Sequence, residues 1–304
     1  MKRIGSYVNG NTIVAIYEDG TKERYTPDGE PAMPDFPESI DLKITNRCDL
    51  MCPMCAERSG PNGAVPLLNH PILDTLMPYT ELAIGGGNPI EHPCLVSFLE
   101  RMKDQKVICN MTVNIRHFMI YHNFLKALID QGLIHGLGIS IPNEISPGFF
   151  DVVKDFPTAV IHTIAGCTPI NVFQELCDRN LNLLILGYKH KGYGIDYSQF
   201  KGSYLPGLID EVADLVRSDL KRRFKAIAFD NLAVKQLRLQ ETMPLYKFEK
   251  LYMGDDGEYT MYIDLVTGTY GKSSTHPMHK IDGETIVQLF DKLHHEYKND
   301  VALS

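Results

Sequence analysis

Ser39-Ile40-Asp41-Leu42-Lys43-Ile44 runs directly into Thr45-Asn46-Arg47-Cys48-Asp49-Leu50-Met51-Cys52-Pro53-Met54-Cys55, and the rest of the chain is read outward from this stretch. Its first six residues alternate apolar with polar, the period-two pattern of a β-strand with one buried face. The loop that follows carries three cysteines spaced C-x-x-x-C-x-x-C. Three thiolates delivered by one short loop can close around a metal centre. Structural zinc and iron–sulfur sites normally take four protein ligands, whereas a site with chemistry to perform leaves one position open.

A second signal follows some way on. Glu81-Leu82-Ala83-Ile84 reads as a buried strand and ends in Gly85-Gly86-Gly87-Asn88-Pro89. Glycine lets other groups approach the backbone closely, because no Cβ stands in the way. Together the cysteine triplet and the glycine turn resemble the radical S-adenosylmethionine (SAM) superfamily. The resemblance implies a [4Fe-4S] cluster held by Cys48, Cys52 and Cys55, with SAM chelated on the fourth iron and cleaved reductively to a 5′-deoxyadenosyl radical. It also implies that Gly85, Gly86, Gly87 and Asn88 meet the SAM amino group, and that Met54 lies beside the cofactor. Two positions depart from the family pattern: Asn88 stands where Glu is common, and Met54 where an aromatic residue is common.

Read from the residues alone, the triplet also suits a zinc site completed by His70 or His92, or a set of free thiols. The order strand, triplet, helix, strand, glycine turn favours the cluster. The other cysteines, Cys94, Cys109, Cys167 and Cys177, are scattered and read as buried thiols rather than as an auxiliary cluster.

With 304 residues, 44% of them hydrophobic, the chain is long enough for one large α/β domain or two smaller ones. A net charge of −8 argues against a sequence-independent nucleic-acid binder. No apolar run approaches the roughly 20 residues that span a bilayer, and the N-terminus has no signal-peptide core. A soluble, cytoplasmic protein with no membrane or nucleic-acid partner is expected.

Four segments are expected. Residues 1–26 form a β-meander, with turns at Asn9-Gly10-Asn11 and Asp19-Gly20. Residues 27–38 form a linker, because Pro27, Pro31, Pro34 and Pro37 forbid regular structure there. Residues 39–225 alternate short apolar runs with amphipathic helices, the pattern of a parallel sheet with helical crossovers. Strands are read at Ser39–Ile44, Glu81–Gly85, Val107–Val113, Gly136–Ile141, Ala159–Thr163 and Asn182–Leu186, with the clearest helix from His117 to Ile129. Six such units match the partial (βα)6 barrel that the resemblance implies. Residues 226–304 form an extension: a strand at Ala226–Phe229, a hairpin within Phe248–Ser274 and a closing helix from Glu284 to Tyr297.

Chemistry in parallel α/β folds gathers where the strands end. That rule selects the cysteine loop and glycine turn, then Asn114 and Arg116, then Ser140 and Asn143, then Gly187, Tyr188 and Lys189. By resemblance, Ser140 and Asn143 lie near the SAM ribose or carboxylate, and the Gly187-Tyr188 main chain lies near the adenine. The stretch Tyr188 to Tyr197 combines cations, tyrosines and glycines, fitting either a substrate loop or an exposed lid. Leu205 to Phe224 reads as an amphipathic helix whose basic end complements its dipole. Asp230 and Asn231 either face the site or cap a helix, and His276 and His279 read as surface histidines.

The arrangement of one short meander in front and one hairpin behind is similar to uncharacterised radical SAM proteins of bacteria and phages. The family mechanism implies an external low-potential electron donor of flavodoxin or ferredoxin type and a substrate that yields a hydrogen atom. The Lys/Tyr stretch favours a small or nucleotide-like substrate. A peptide or protein side chain is the alternative. Non-catalytic SAM-binding and zinc-binding modules are the readings from other functional classes.

Overall fold

The computed structural model describes residues 2–18, 20–218 and 220–302. Asp19 of the expected Asp19-Gly20 turn therefore lies outside the described residues. Strands β1 (Arg3–Asn9), β2 (Thr12–Tyr17) and β3 (Lys22–Tyr25) form the expected antiparallel meander as a separate sheet. Its anchor is ionic and aromatic. Arg24 makes a two-pronged pair with the buried Glu38 carboxylate at 2.8 Å per bond, and Tyr7 stacks on Tyr79 with centroids 6.1 Å apart.

The body of the protein is one ten-stranded sheet. Strands β4 (Ser39–Thr45), β5 (Glu81–Gly86), β6 (Ile108–Asn114), β7 (Gly136–Ser140), β8 (Val160–Ile164), β9 (Asn182–Leu186) and β10 (Ala226–Phe229) pair in parallel, each with its predecessor in the chain. Strand β11 (Thr260–Asp264) then returns to pair in parallel with β4, and β12 (Thr269–Gly271) and β13 (His279–Lys280) extend that side antiparallel. The Ala226–Phe229 strand thus continues the same sheet beyond residue 225, and the C-terminal hairpin covers the edge of β4 rather than joining the meander.

One face of the sheet is closed by helices. Ile40, Leu42 and Ile44 of β4, Met111 and Val113 of β6, Ile139 of β7 and Ile185 of β9 enter one hydrophobic core. With them pack α1 (Leu95–Asp104), α2 (Ile115–Asp130), α4 (Ile170–Leu176), α6 (Tyr204–Arg217) and α9 (Ile286–Ala302). Two shorter helices, α3 (Phe149–Val152) and α5 (Tyr193–Lys201), fall between these in the chain. Fully burying a side chain of this size stabilises the fold by about 1.5–3 kcal/mol. The intervening residues project from the other face, as the period of two requires.

That second face is concave, because groups from the two flanks of the sheet meet across it. Asn231, just after β10, donates to Asp256 at 2.8 Å and to the Gly254 carbonyl at 3.1 Å, both just before β11. Lys189, just after β9, donates to Ser274 between β12 and β13 at 2.9 Å. No helix among the described residues is long and apolar enough to cross a membrane.

Four local readings change. The helix expected between the cysteine triplet and the glycine-turn strand is a short 3-10 turn, Pro71–Thr75. Within the Tyr188–Tyr197 stretch the chain enters helix α5, which buries only Gly194 and so shows no apolar periodicity. The expected Leu205–Phe224 helix stops at Arg217, and the basic run beyond it holds a 3-10 turn from Leu220 to Arg222. Lys221 and Arg222 therefore do not sit in the last turn of α6. Phe248 belongs to helix α8 (Leu245–Leu251), which follows α7 (Asn231–Gln236), rather than to the C-terminal hairpin.

Candidate metal and cofactor site

Cys48, Cys52 and Cys55 follow β4 at the edge where the parallel strands end, and all three are free and half-buried. Burial pushes the Cys48 thiol up to about 11, with Cys52, Asp49 and Cys55 adding to the rise. Burial also raises Cys52, with Cys55 adding to it. The thiols influence one another, and a cation placed among them would release their protons.

The loop is held in shape by backbone contacts. Cys48 N–H donates to the Gly60 carbonyl at 3.0 Å, and Asn46 N–H to the Ala64 carbonyl at 2.8 Å. The glycine turn is zipped onto the same segment: Gly87 N–H donates to Thr45 at 2.8 Å and Asn88 N–H to Arg47 at 2.7 Å. This explains two of the glycines. A Cβ on Gly86 would stand 2.3 Å from the Thr45 oxygen, and one on Gly87 would stand 2.0 Å from the Arg47 oxygen. Gly85 differs, since a Cβ there would meet nothing within 4 Å.

Asn88 is buried, and its Oδ1 accepts from Ile90 N–H, capping the short turn that follows. Its Nδ2 is buried without a hydrogen-bond partner. A buried donor without a partner is an arrangement that a polar ligand completes.

Met54 is buried in a small cluster with Cys167, Tyr188 and Leu205, against which Cys52 and Tyr197 pack. The cysteine loop therefore lies against the chain that leaves β9. Tyr188 itself is buried, and its hydroxyl donates to the Gly194 carbonyl. The Gly187 amide donates to Asp230 at 2.9 Å, while the Tyr188 amide and carbonyl both bond the Gln236 side chain. Asp230 also accepts from Ala233 N–H and so caps α7.

On the other side of the loop, Leu50, Cys52 and Pro53 form one wall of a cleft of ≈ 220 Å³. Asn114, Arg116 and Asn143 line its opposite wall. Asn114 caps α2 through Arg116 N–H at 2.9 Å. Ser140 closes β7 in register with Asn114 and His162, outside that cleft's lining.

The histidines named for a zinc site are occupied elsewhere. His92 bonds the Pro66 carbonyl through Nε2 at 2.9 Å and accepts from Cys94 N–H at Nδ1. His70 accepts from Ile72 N–H. Among the described residues, only Asp49, Glu91 and His117 bring three candidate ligand atoms within 4.8 Å of one another. The three cysteine sulfurs are therefore not all within 4.8 Å of one another, whereas a tetrahedral zinc with Zn–S near 2.3 Å holds its ligand atoms about 3.8 Å apart. A cubic cluster, which binds each thiolate on a separate iron, requires a wider spread. His276 pairs with Ser273 at 2.8 Å, and His279 lies in β13.

Several residues of the site carry no signal in the sequence. Asp49 reaches buried His117, with 2.7 Å between oxygen and Nε2. Lys43 meets Glu57 at 2.7 Å and Asp264 at 3.2 Å. Gly192, at φ +60, lies so close to the loop that a Cβ would stand 2.3 Å from the Ala56 oxygen, and Tyr193 N–H donates to the Cys55 carbonyl at 2.9 Å.

No protein-family model matches the chain, and no curated protein matches its sequence. Among solved structures, Streptococcus suis SuiB bound to S-adenosylmethionine superposes with a TM-score of 0.60 at 14% identity, covering 87% of this chain and 68% of SuiB. SuiB bound to precursor peptide SuiA gives a TM-score of 0.57 at 16% identity, covering 85% of this chain and 65% of SuiB. The chain spans about two thirds of the SuiB chain. At such identity the likeness is one of fold, a mixed α/β architecture built on a large, mostly parallel sheet.

Proposed function

We propose that this protein is a radical SAM enzyme whose curled parallel sheet is the incomplete barrel of that superfamily. The observation that carries the reading is a loop of three free cysteines at the end of the first parallel strand, zipped to a glycine turn, in a fold shared with SAM-bound SuiB. Cys48, Cys52 and Cys55 would hold a [4Fe-4S] cluster, and Gly85 and Asn88 would face SAM. A cluster held there would supply one-electron reduction of SAM, fed by an external low-potential donor, and with it the capacity for hydrogen-atom abstraction from a substrate.

The chain's own residues prepare that chemistry. The backbone zipper from Thr45 to Asn88 fixes the cysteine loop relative to the glycine turn, so the two halves of the site move as one. Asn88 offers a buried N–H to a hydrogen-bond acceptor. The Met54, Tyr188 and Leu205 cluster closes the inner flank and keeps water from it. The concave face receives the substrate.

A peptide or protein side chain is the substrate reading that the comparison favours, since SuiB binds a precursor peptide in the same fold. In the stretch on which the small or nucleotide-like reading rests, Tyr188 is buried and Tyr197 stacks on it, so Tyr193, Lys189 and Lys191 would be the residues left to meet such a substrate. Anaerobic incubation of the iron- and sulfide-reconstituted protein with SAM and dithionite tests the activity. 5′-Deoxyadenosine forms with the native chain and not with the Cys48→Ala/Cys52→Ala/Cys55→Ala variant. Equal yields from the two would refute the reading.

A further inference from the structure

On the concave face one carboxyl has no partner. Asp41 lies in β4 between Ile40 and Leu42, which are buried in the helix-covered core, so Asp41 points the other way. Among the described residues no hydrogen bond or ion pair engages its side chain. It is exposed, and yet protein surrounds it: Lys189, Asp256, Asp230 and Glu57 all act on it through space. The neighbouring acids are already engaged. Glu57 and Asp264 hold Lys43, Asp230 caps α7, and Asp256 takes Asn231.

There is room beside it. In register with Asp41 are Ala83 of β5 and Tyr262 of β11. Ala83 is small, and Gly85, two residues on along the same strand face, borders open space. Tyr262 directs its hydroxyl to Glu57 at 3.4 Å. Of the charges around the spot, Glu57 is offset by Lys43, two residues on from Asp41 along the same strand face, and by Lys191; Asp230 and Asp256 face Asp41 with Lys189 as the cation, and that lysine donates to Ser274.

We infer that Asp41 anchors a cationic nitrogen group of the substrate, a primary ammonium or a guanidinium, on the floor of the concave face. The inference rests on the proposal that this face is the substrate chamber. The electrostatics agree. Burial, reinforced by Asp256, Asp230 and Glu57 and opposed by Lys189, raises the Asp41 carboxyl above the usual range. A cation arriving against it would favour the ionised form, so binding releases a proton at a pH between the free and the bound values. A guanidinium offers two parallel N–H bonds to a carboxylate, and an ammonium offers one.

The test titrates the reconstituted protein, with SAM present, calorimetrically with n-butylguanidinium and with n-butylurea, which has the same shape and no charge. The native protein is expected to bind the guanidinium at least about tenfold more tightly, releasing protons in a way that scales with buffer ionisation heat. Asp41→Asn is expected to abolish the preference, and Asp41→Glu to retain part of it. Equal binding of the two probes by the native protein overturns the inference whether or not the asparagine variant folds, and so does a preference that survives in Asp41→Asn. A protein that loads its cluster and cleaves SAM yet shows no preference loses the inference alone. One that forms no cluster loses the radical SAM reading instead.

Discussion

Asp49, which directly follows the first loop cysteine, is held at 2.7 Å by Nε2 of His117, which is buried in the first turn of α2. One hydrogen bond thus ties the cysteine loop to a helix that begins far away in the chain. His117 lies on the buried face of α2 beside Phe118, so its ring cannot swing away from the loop. Replacing it with alanine removes both packing and tether. His117→Ala is expected to lower stability by about 2 kcal/mol and to reduce the iron retained per chain, measured by denaturant melting and by iron analysis after desalting.

Gly192 supports the loop from the opposite side. Its φ of +60 and ψ of −132 belong to a region that residues with a Cβ rarely enter, and the Ala56 oxygen occupies the space a Cβ would need. Gly192→Ala should cost at least about 2 kcal/mol and pull Tyr193 from the Cys55 carbonyl. Faster hydrogen exchange at the Tyr193 amide, set against unchanged exchange in β6 and β7, would show that the effect is local.

The parallel sheet and the cysteine loop are largely legible in the sequence, because their signals are local. Alternation in Ser39–Ile44 marks the first parallel strand, and three cysteines within eight residues mark the loop. Asn114, Arg116 and Asn143 share a cleft with Cys52, as the rule of strand ends anticipates. What escapes is whatever depends on distant pairing. Glu57 and Asp264 around Lys43, and the return of β11 to β4, join residues far apart in the chain and leave no pattern in either segment. Helix α5 escapes for another reason: with only Gly194 buried, it offers no apolar stripe to read.

Burial lowers the His162 imidazole to about 4. A histidine depressed in the folded state and ordinary in the unfolded state favours folding above about pH 6.5, and this contribution is lost as pH falls from there toward 4. Stability should decline over that window by up to about 3 kcal/mol from this group. His162→Gln is expected to flatten the decline, read as the midpoint of urea unfolding at several pH values. An unchanged slope would mean that His162 titrates normally.

Asn88 performs two tasks with one side chain. Its oxygen caps the turn at Ile90, while its nitrogen is buried without a partner. Asn88→Ala removes the cap, at about 1 kcal/mol, and withdraws the donor that the proposed site would offer to SAM. SAM affinity should fall about tenfold by equilibrium dialysis, a loss larger than a cap alone explains.

In the proposed site three sulfurs would hold an iron cube with one corner left for SAM. Electron paramagnetic resonance of the anaerobically reconstituted, dithionite-reduced protein, with and without SAM, reads that corner directly. The account predicts about four irons per chain, a spectrum that changes when SAM is added, and neither feature in the triple-alanine variant. A protein that takes up zinc in place of iron, or a cluster whose spectrum is indifferent to SAM, would contradict it.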